Sequence, residues 1–252
     1  MNFRHLLKAA PAAVCVSVSA VPAAAQEGFW SYTVAPYFWA SSLSGEMRTL
    51  SGAPPVDIDA SFSDIWENLD FAFMVVGNAN NGQWGITGDL QYYDLSADGQ
   101  VPGAPLATVS LGSKVTAGTV TGEYLLTKTF TAEIWGGVGA RFWDVEGSVG
   151  ATITGAGGPA VIESNDWVDP IVGVRGRYDT GSRGFLTGWA YAGGFGAGSD
   201  MMYDLFGGYG FTFTDSVAAV AGYRWMSVDR EDGTFIYDVE QQGLLLGLRL
   251  SF

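Results

Sequence analysis

The sequence predicts an all-β protein whose antiparallel, up-and-down strands close into a transmembrane barrel of about ten strands, with eight or twelve as alternatives. Two observations support this prediction. First, many segments alternate apolar and polar residues with a period of two, which places one face of a strand against an apolar phase. Second, 48% of the residues are hydrophobic, yet no segment beyond the N-terminal region approaches the ~20 apolar residues of a membrane helix. High hydrophobic content without helical runs is typical of membrane barrels.

The start of the chain has the pattern of a cleaved signal peptide. A short basic segment is followed by an apolar stretch, Ala9 to Val21, and by small residues up to Ala25, the order found in secretory signals. The apolar stretch is too short and too interrupted to span a membrane. We therefore expect a signal peptide at 1–25 and one barrel domain at 26–252. A lipoprotein anchor at Cys15 is the weaker alternative, because the residue before it does not fit that motif.

The mature chain is strongly acidic. Two of the 12 Lys and Arg residues lie in the predicted signal peptide, so ten remain against 26 Asp and Glu, a net charge of −16. This balance argues against nucleic acid as a partner, because binding to phosphates depends on basic residues. The only Cys is also removed with the signal peptide, so the fold is expected to depend on its hydrogen-bonded wall.

Five predicted strands occupy the first half of the mature chain. In each, apolar side chains share the face expected to meet lipid, and polar side chains share the face expected to line the lumen. The fourth, around Val109 to Leu126, is the least regular. The expected outward residues are, strand by strand, Tyr32, Val34, Pro36 and Phe38; Phe71, Phe73 and Val75; Trp84, Ile86, Leu90 and Tyr92; Val120, Tyr124 and Leu126; and Phe130, Ala132, Ile134, Val138 and Phe142.

Five further strands are predicted in the second half. The seventh, Phe185 to Gly196, is too rich in Gly and aromatic residues for its faces to be assigned. The tenth runs from Phe235 to the end of the chain. The expected outward residues of the sixth, eighth and ninth strands are Val168, Pro170, Val172, Val174 and Tyr178; Tyr203, Leu205, Tyr209, Phe211 and Phe213; and Val217, Ala219, Tyr223 and Trp225.

The connections between these strands alternate in length, which predicts the orientation of the barrel. Tight turns are expected near residues 80–82, 127–129, 179–183 and 214–216, because they contain Gly, Asn, Asp, Ser or Thr. Longer links are expected at 48–69, 97–107 and 147–166, with shorter ones at 199–200 and 229–233. Short turns on the periplasmic side and long loops outside are the pattern of outer-membrane barrels, and with both termini periplasmic the strand number is even.

The last strand carries an unbroken apolar row that ends on an aromatic residue. Its members are Leu244, Leu246, Leu248, Leu250 and Phe252. This row resembles the terminal strand of bacterial outer-membrane β-barrels, in which it is the signal read by the barrel assembly machinery. The resemblance implies that machinery as a partner, together with outer-membrane lipid and lipopolysaccharide. A soluble sheet is the weaker alternative.

Several other stretches extend this resemblance over most of the mature chain. Together they are similar to a large set of mostly uncharacterised small outer-membrane barrels of proteobacteria, related in architecture to OmpA- and OmpX-type barrels. The resemblance implies a location in the cell outer membrane and carries no established activity. The sequence departs from the pattern at Asn78 and Asn80, where related chains tend to have a charged pair. The resembling stretches are 35–39, 56–57, 62–65, 69–72, 88–90, 167–173, 193–196 and 222–224.

Composition argues against an enzyme and against a bound cofactor. Known outer-membrane barrel enzymes resemble one another in using a His base, and a neutral imidazole near pH 7 suits that role. The only His, His5, is lost with the predicted signal peptide. We therefore predict no catalytic residues and no cofactor site.

Acidic loop residues are the remaining candidates for cation binding. Without His and Cys, only carboxylate oxygens are left, and these suit Ca²⁺ or Mg²⁺. The segment Asp229 to Gly233 lacks the alternating spacing of a calcium loop, so a solvated acidic loop is the favoured interpretation and no metal site is predicted. Divalent ions that bridge lipopolysaccharide remain possible partners of a second cluster, formed by Asp57, Asp59, Asp64, Glu67 and Asp70.

Charged residues also fall on the inward faces of the predicted strands. Buried charges are tolerated only when they are paired and hydrogen-bonded, so this set predicts a cross-linked lumen. A sealed polar core, as in small barrels, is favoured over a selectivity lining for small solutes. The lumen residues are Asp89, Glu123, Glu133, Asp169 and Asp204 with Arg141, Arg175, Arg177 and Arg224, and Arg249 is a weaker member.

The first long loop contains a candidate helical turn. Ser63 suits a helix cap, and Ile65, Trp66 and Leu69 would share one side of the turn, opposite Asp64. Because a turn this short is marginal alone, its apolar side needs cover. One hypothesis is a lid that folds over the extracellular mouth and buries Trp66 against the barrel rim. The alternative is a flexible loop with Trp66 in the lipid headgroups.

These predictions together favour an outer-membrane barrel with a structural or surface-interaction role in the cell envelope. The alternative is a narrow porin-like channel for small polar solutes. A closed lumen would favour the first, and the second requires a continuous water path past the charged residues.

Overall fold

One antiparallel sheet forms almost all of the described part of the protein. The computed structural model describes residues 30–100, 107–153 and 156–252, so the predicted signal peptide lies outside the described residues. The strands are β1 (Ser31–Arg48), β2 (Val56–Ala60), β3 (Leu69–Asn80), β4 (Trp84–Gln100), β5 (Ala107–Lys128), β6 (Ala132–Ile153), β7 (Ala156–Gly181), β8 (Gly184–Gly193), β9 (Met201–Thr214), β10 (Val217–Asp232) and β11 (Phe235–Ser251), and the helix is α1 (Phe62–Glu67).

The sheet closes because its last strand pairs with its first. Each strand from β3 to β11 is hydrogen-bonded to the next, and β11 pairs with β1 from Thr33–Ser251 to Arg48–Ile236. β2 and β3 share the other edge of β1, so the eleven described strands make ten positions in the wall. A ten-strand antiparallel barrel is the predicted fold class, and it is confirmed.

Tight hairpins gather at the end of the barrel where the chain enters and leaves the wall. They connect β3 to β4, β5 to β6, β7 to β8 and β9 to β10, as predicted. Phe130 was expected to begin a strand, but it lies in a turn with its side chain fully exposed. A hairpin must reverse the chain there, and β6 starts only at Ala132.

Of two predicted loops at the opposite end, 147–166 is mostly strand in the described residues, and 97–107 is strand at 97–100 and at 107. The expected links at 97–107 and 147–166 are shortened, because β4 extends to Gln100 and β6 and β7 approach each other as far as Ile153 and Ala156. β6 and β7 have 22 and 26 residues, which is more than the 9–11 residues that cross a bilayer. The surplus forms hairpins that project beyond the membrane.

The wall has its predicted apolar outer face. Most of the expected outward residues are exposed and alternate with less exposed inward neighbours, as for Phe142 (51% exposed) beside Arg141 (1%). β8, whose faces could not be assigned, directs Phe185 and Tyr191 inward. Within the described residues, none of the helical structure is of the length and apolarity that would carry it across a membrane.

The lumen is filled in its outer half. Apolar side chains from β1, β5, β6, β7, β9, β10 and β11 form one buried cluster there. Its fully buried members include Val145, Met202, Val228 and Tyr237. At the periplasmic end the lumen opens into a vestibule of about 220 Å³.

Candidate functional site

A charged network crosses the middle of the lumen. Its centre is Arg224 on β10, which is fully buried. Arg224 donates from Nη2 to Asp204 Oδ2 at 2.6 Å and to Asp89 Oδ2 at 2.9 Å, and from Nε to Asp204 Oδ1 at 3.0 Å. Its Nη1 donates to the Tyr37 hydroxyl at 2.8 Å, and that hydroxyl donates to Asp89 Oδ1 at 2.7 Å. The Arg224 guanidinium thus ties four strands together, β1, β4, β9 and β10.

A second arginine shares the same carboxylate. Arg141 on β6 pairs with Asp204 and donates from Nε to Thr119 Oγ1 at 2.6 Å. Trp189 Nε1 donates to Asp204 Oδ1 at 2.9 Å. Arg141, Asp204 and Arg224 are each at most 1% exposed. Burial of these charges is tolerable because every member has several partners.

Asp169 differs from the prediction. We expected an arginine partner in the lumen, but this fully buried carboxylate accepts four hydrogen bonds from uncharged donors. They come from Trp143 Nε1 at 2.8 Å, Trp167 Nε1 at 3.3 Å, Ser199 Oγ at 2.8 Å and the Ser199 backbone N–H at 2.6 Å. Asp169 therefore holds two stacked indoles and the loop between β8 and β9 at the outer end of the charged layer.

The vestibule holds the remaining predicted lumen residues, and here the pairing is looser. Arg175 donates to Glu123 Oε2 at 2.7 Å, and Glu123 is 3% exposed. Arg177 pairs with Asp179 at 2.7 Å, which is a neighbour on its own strand.

The other two members of this set also differ from the expected arginine–acid pairing. Glu133 pairs with Lys128 at 2.5 Å instead of an arginine. Arg249 has no carboxylate within 4 Å in the described part of the chain. The predicted five-to-five pairing therefore holds for Arg141, Arg175 and Arg224 alone.

Helix α1 is present, but it lies in the wall of the barrel. Its N-cap is Ser61, not the predicted Ser63, and Ser61 and Asp64 form a reciprocal capping box. Trp66 packs edge-on against the outward Phe38, with ring centres 5.7 Å apart, and is 56% exposed. Ile65 packs on the luminal cluster. The predicted burial of Trp66 against the rim is therefore wrong, and movement of α1 as a lid stays a prediction.

The predicted assembly row lies on the outer face of β11. Leu244, Leu246, Leu248 and Phe252 are 43–64% exposed, and Leu250 pairs with Val34 of β1 and Val217 of β10. This is the lipid-facing position that the alternation predicted. Recognition of the row by assembly machinery stays a prediction.

The acidic loops were considered as cation sites. Among the described residues, no group of three or more Asp, Glu, His or Cys side chains is arranged to hold a metal ion. Asp64 is engaged in the helix cap. Binding of divalent cations at the loops stays a prediction.

Comparison with known proteins identifies the architecture. The chain matches no family model and no curated protein. Its structure is similar to that of the outer membrane protease OmpT from Escherichia coli, with a TM-score of 0.57 and 11% identity over 90% of this chain and 99% of that one. Identity of this size shows the fold alone.

Two further solved structures are similar at lower scores. The translocator domain of the autotransporter NalP from Neisseria meningitidis has a TM-score of 0.48 and 9% identity over 89% of both chains. Ail, the attachment invasion locus protein of Yersinia pestis, in complex with the heparin analogue sucrose octasulfate, has a TM-score of 0.39 and 10% identity over 89% of this chain and 99% of its own.

Proposed function

We propose that this outer-membrane β-barrel protein is a closed barrel with a structural or surface-interaction role in the cell envelope. Solute conduction and catalysis in the lumen are not part of this proposal. The observation that carries it is the filled lumen. The charged layer around Arg224 and the apolar cluster outside it occupy the cross-section one above the other.

The charged layer is unsuited to a selectivity lining. A conducting pore exposes its charges to water so that ions bind and leave. Here Asp204 and Arg224 are fully buried, and their polar atoms are saturated by fixed partners. A buried, fully paired network rigidifies a core. The same burial denies a substrate access to the Asp204 carboxylate, which supports a non-enzymatic role.

The projecting hairpin of β6 and β7 supports a surface role. From Phe142, the last outward aromatic residue of β6, the strand continues to Ile153, roughly 28 Å along the membrane normal at a tilt of about 40°. On its partner strand, Val161 and Ile162 are 49% and 60% exposed. Apolar side chains exposed beyond the membrane can form part of an interaction surface.

A liposome-swelling assay tests the closed lumen. Liposomes that contain the refolded protein should swell in small sugars and amino acids at the rate of protein-free liposomes. A general porin, reconstituted in the same way, is the positive control. Swelling that increases with the amount of this protein and slows with solute size would contradict a closed barrel and favour the narrow channel.

The surface role has a separate test on intact cells. Cells that display the protein should be retained on an octyl-coated matrix, and Ile162→Asp should reduce this retention at equal surface amounts. Ser164→Asp is the matched control, because it adds the same charge at an exposed position of the same strand without removing apolar area. Equal retention of the two variants would contradict an apolar contact surface on this hairpin.

A further inference from the structure

The two edges of β1 are paired very differently. One edge pairs with β11 along nearly the whole strand. On the other edge β3 ends its pairing at Pro36 and β2 begins at Leu43, so residues 37–42 have no strand partner there among the described residues. Unpaired backbone groups that face hydrocarbon cost several kcal/mol each. The unpaired edge at residues 37–42 therefore needs to be covered, and α1, which lies beside it, is that cover.

The outer side of this cover is aromatic. Phe62 and Trp66 of α1 contact Phe38 of β1, with ring centres 6.0 and 5.7 Å apart. Outward residues of β1 are apolar up to Ala40 and polar from Ser42 onward. The cover therefore lies where hydrocarbon gives way to headgroups in the outer leaflet, the level at which aromatic side chains are enriched.

A cavity of about 70 Å³ lies behind the cover. Its lining combines the outward side chains of Phe38 and Trp66 with inward side chains of Trp39, Met74 and Gln241. Because outward and inward residues both line it, the cavity lies between the lipid-facing surface and the lumen side of the wall. Most of its lining is apolar.

Two buried polar atoms on residues of this lining have no protein partner. They are Trp39 Nε1 and Gln241 Oε1, which make no hydrogen bond within the described part of the chain, and both residues are 4% exposed. Gln241 uses its other amide atom, Nε2, to donate to the Tyr93 hydroxyl at 3.1 Å. A buried polar atom without a partner is costly and uncommon. One free donor and one free acceptor in an apolar cavity are complementary to a hydroxyl group, which both accepts and donates.

We propose that this cavity binds a long-chain membrane amphiphile that carries a hydroxyl group. The hydroxyl accepts from Trp39 Nε1 and donates to Gln241 Oε1, and the chain leaves the wall beside Phe38, Phe62 and Trp66 toward the outer leaflet. The volume is about half of the ~150 Å³ cavity that encloses benzene. The hydroxyl end is therefore enclosed, and the remaining chain stays in the membrane.

Two isomeric probes test the role of the hydroxyl. 1-Decanol accepts and donates, whereas nonyl methyl ether only accepts. Each is titrated into the folded mature chain in detergent micelles, and the Trp39 indole N–H signal, assigned through Trp39→Phe, is followed by NMR. Decanol should shift this signal saturably and bind about three- to tenfold more tightly than the ether, the range of one hydrogen bond. Equal affinities, or a shift that never saturates, would overturn the proposal.

Variants of the two ends of the site complete the test. Gln241→Met keeps the approximate shape and removes the acceptor, so decanol should bind it no more tightly than the ether. If decanol keeps its advantage in this variant, the assignment of the acceptor is wrong. Trp66→Ala should weaken decanol binding at least twofold, whereas Trp84→Ala, an outward aromatic residue near a periplasmic turn, should not. Equal effects of the two would overturn entry through the wall.

Discussion

The barrel consists of two halves with opposite alternation. In the membrane half the apolar residues point outward and the polar residues inward, as for Leu244 and Leu246 on β11. Beyond the hydrocarbon the pattern inverts on the same strand. There Asp238 and Glu240 point outward, while Tyr237 and Val239 are buried inside. A register that is continuous along β11 thus serves two different environments.

This inversion follows from what surrounds each half. Hydrocarbon requires apolar side chains on the outside, and the narrow lumen is then left with polar side chains that must pair. Outside the membrane the barrel is surrounded by water, so its interior packs like that of a soluble protein. β6 shows the same change after Phe142, where Asp144 and Glu146 point outward and Trp143 and Val145 inward. The lumen is therefore closed by the apolar side chains packed inside the half of the barrel that lies beyond the membrane.

The largest effect is expected from breaking the charged layer of the membrane half. Asp204→Ala leaves two buried guanidiniums without their shared carboxylate, which should lower the free energy of unfolding by about 3–5 kcal/mol. Urea unfolding in detergent measures this. Asp215→Ala, in an exposed periplasmic turn, is the control and should change little. A loss below about 1 kcal/mol for Asp204→Ala would show that the network is not stabilised as described.

A pair of substitutions on the outer face of β11 tests the inversion itself. Leu248→Asp places a charge in the lipid-facing row and should lower the free energy of unfolding by up to about 2 kcal/mol, since acidic residues cost less than the 2–4 of basic ones. Ile236→Asp makes a similar change beyond the membrane, beside Arg48 of β1, and should be nearly neutral. If both variants lost the same share of heat-modifiable folded protein, the edge of the hydrocarbon layer would not lie between positions 236 and 248.

A smaller effect is expected at the boundary between the halves. Ser61→Ala removes the side chain that caps α1 and should cost about 1 kcal/mol. Ser63→Ala removes the residue that the sequence suggested as cap and should cost clearly less. Unfolding midpoints and amide exchange of residues 61–68 measure both. The reverse order would place the cap at Ser63.

The smallest effect concerns the outer half and depends on pH. Hydrogen bonds from the Ser51 hydroxyl and backbone N–H hold the pKa of Glu163 below its ordinary value of 4.5. A lowered folded pKa contributes stability that is present above the unfolded value and lost as the pH falls through the folded one. The unfolding midpoints of the wild type and Glu163→Gln should therefore differ slightly at pH 6, and the difference should shrink as the pH falls below 4.5. A difference that grows in acid would contradict this contact.

The sequence predicted the membrane half well. Alternation with a period of two directly reports which residues meet lipid, so the outward row of β11 and the inward position of Arg224 were predicted correctly. The capping box of α1 was missed because the cap was placed at Ser63, two residues too late. The apolar side chains that fill the outer half of the lumen were not predicted either. The sequence does contain a pattern that indicates this packing, since apolar and polar positions exchange faces after Phe142.

Partners across the lumen could not be predicted. Asp169 and Arg141 are directly opposite on neighbouring strands, yet they form no ion pair. Instead Arg141 reaches Asp204 on β9, and Asp169 is satisfied by indoles and by Ser199. Alternation gives the face of a residue, whereas its partner depends on side-chain length and on the barrel radius. The unpaired stretch beside β1 could not be predicted either. It depends on how β2, α1 and β3 divide one edge of β1 in three dimensions.

The closed lumen is tested most directly by single-channel recording in planar bilayers. The account predicts that the refolded wild-type protein, inserted in amounts verified by antibody, produces no current steps in molar potassium chloride at either polarity. Reproducible steps whose size follows the salt concentration would show a continuous water path past Arg224 and Tyr237, and would contradict the sealed barrel.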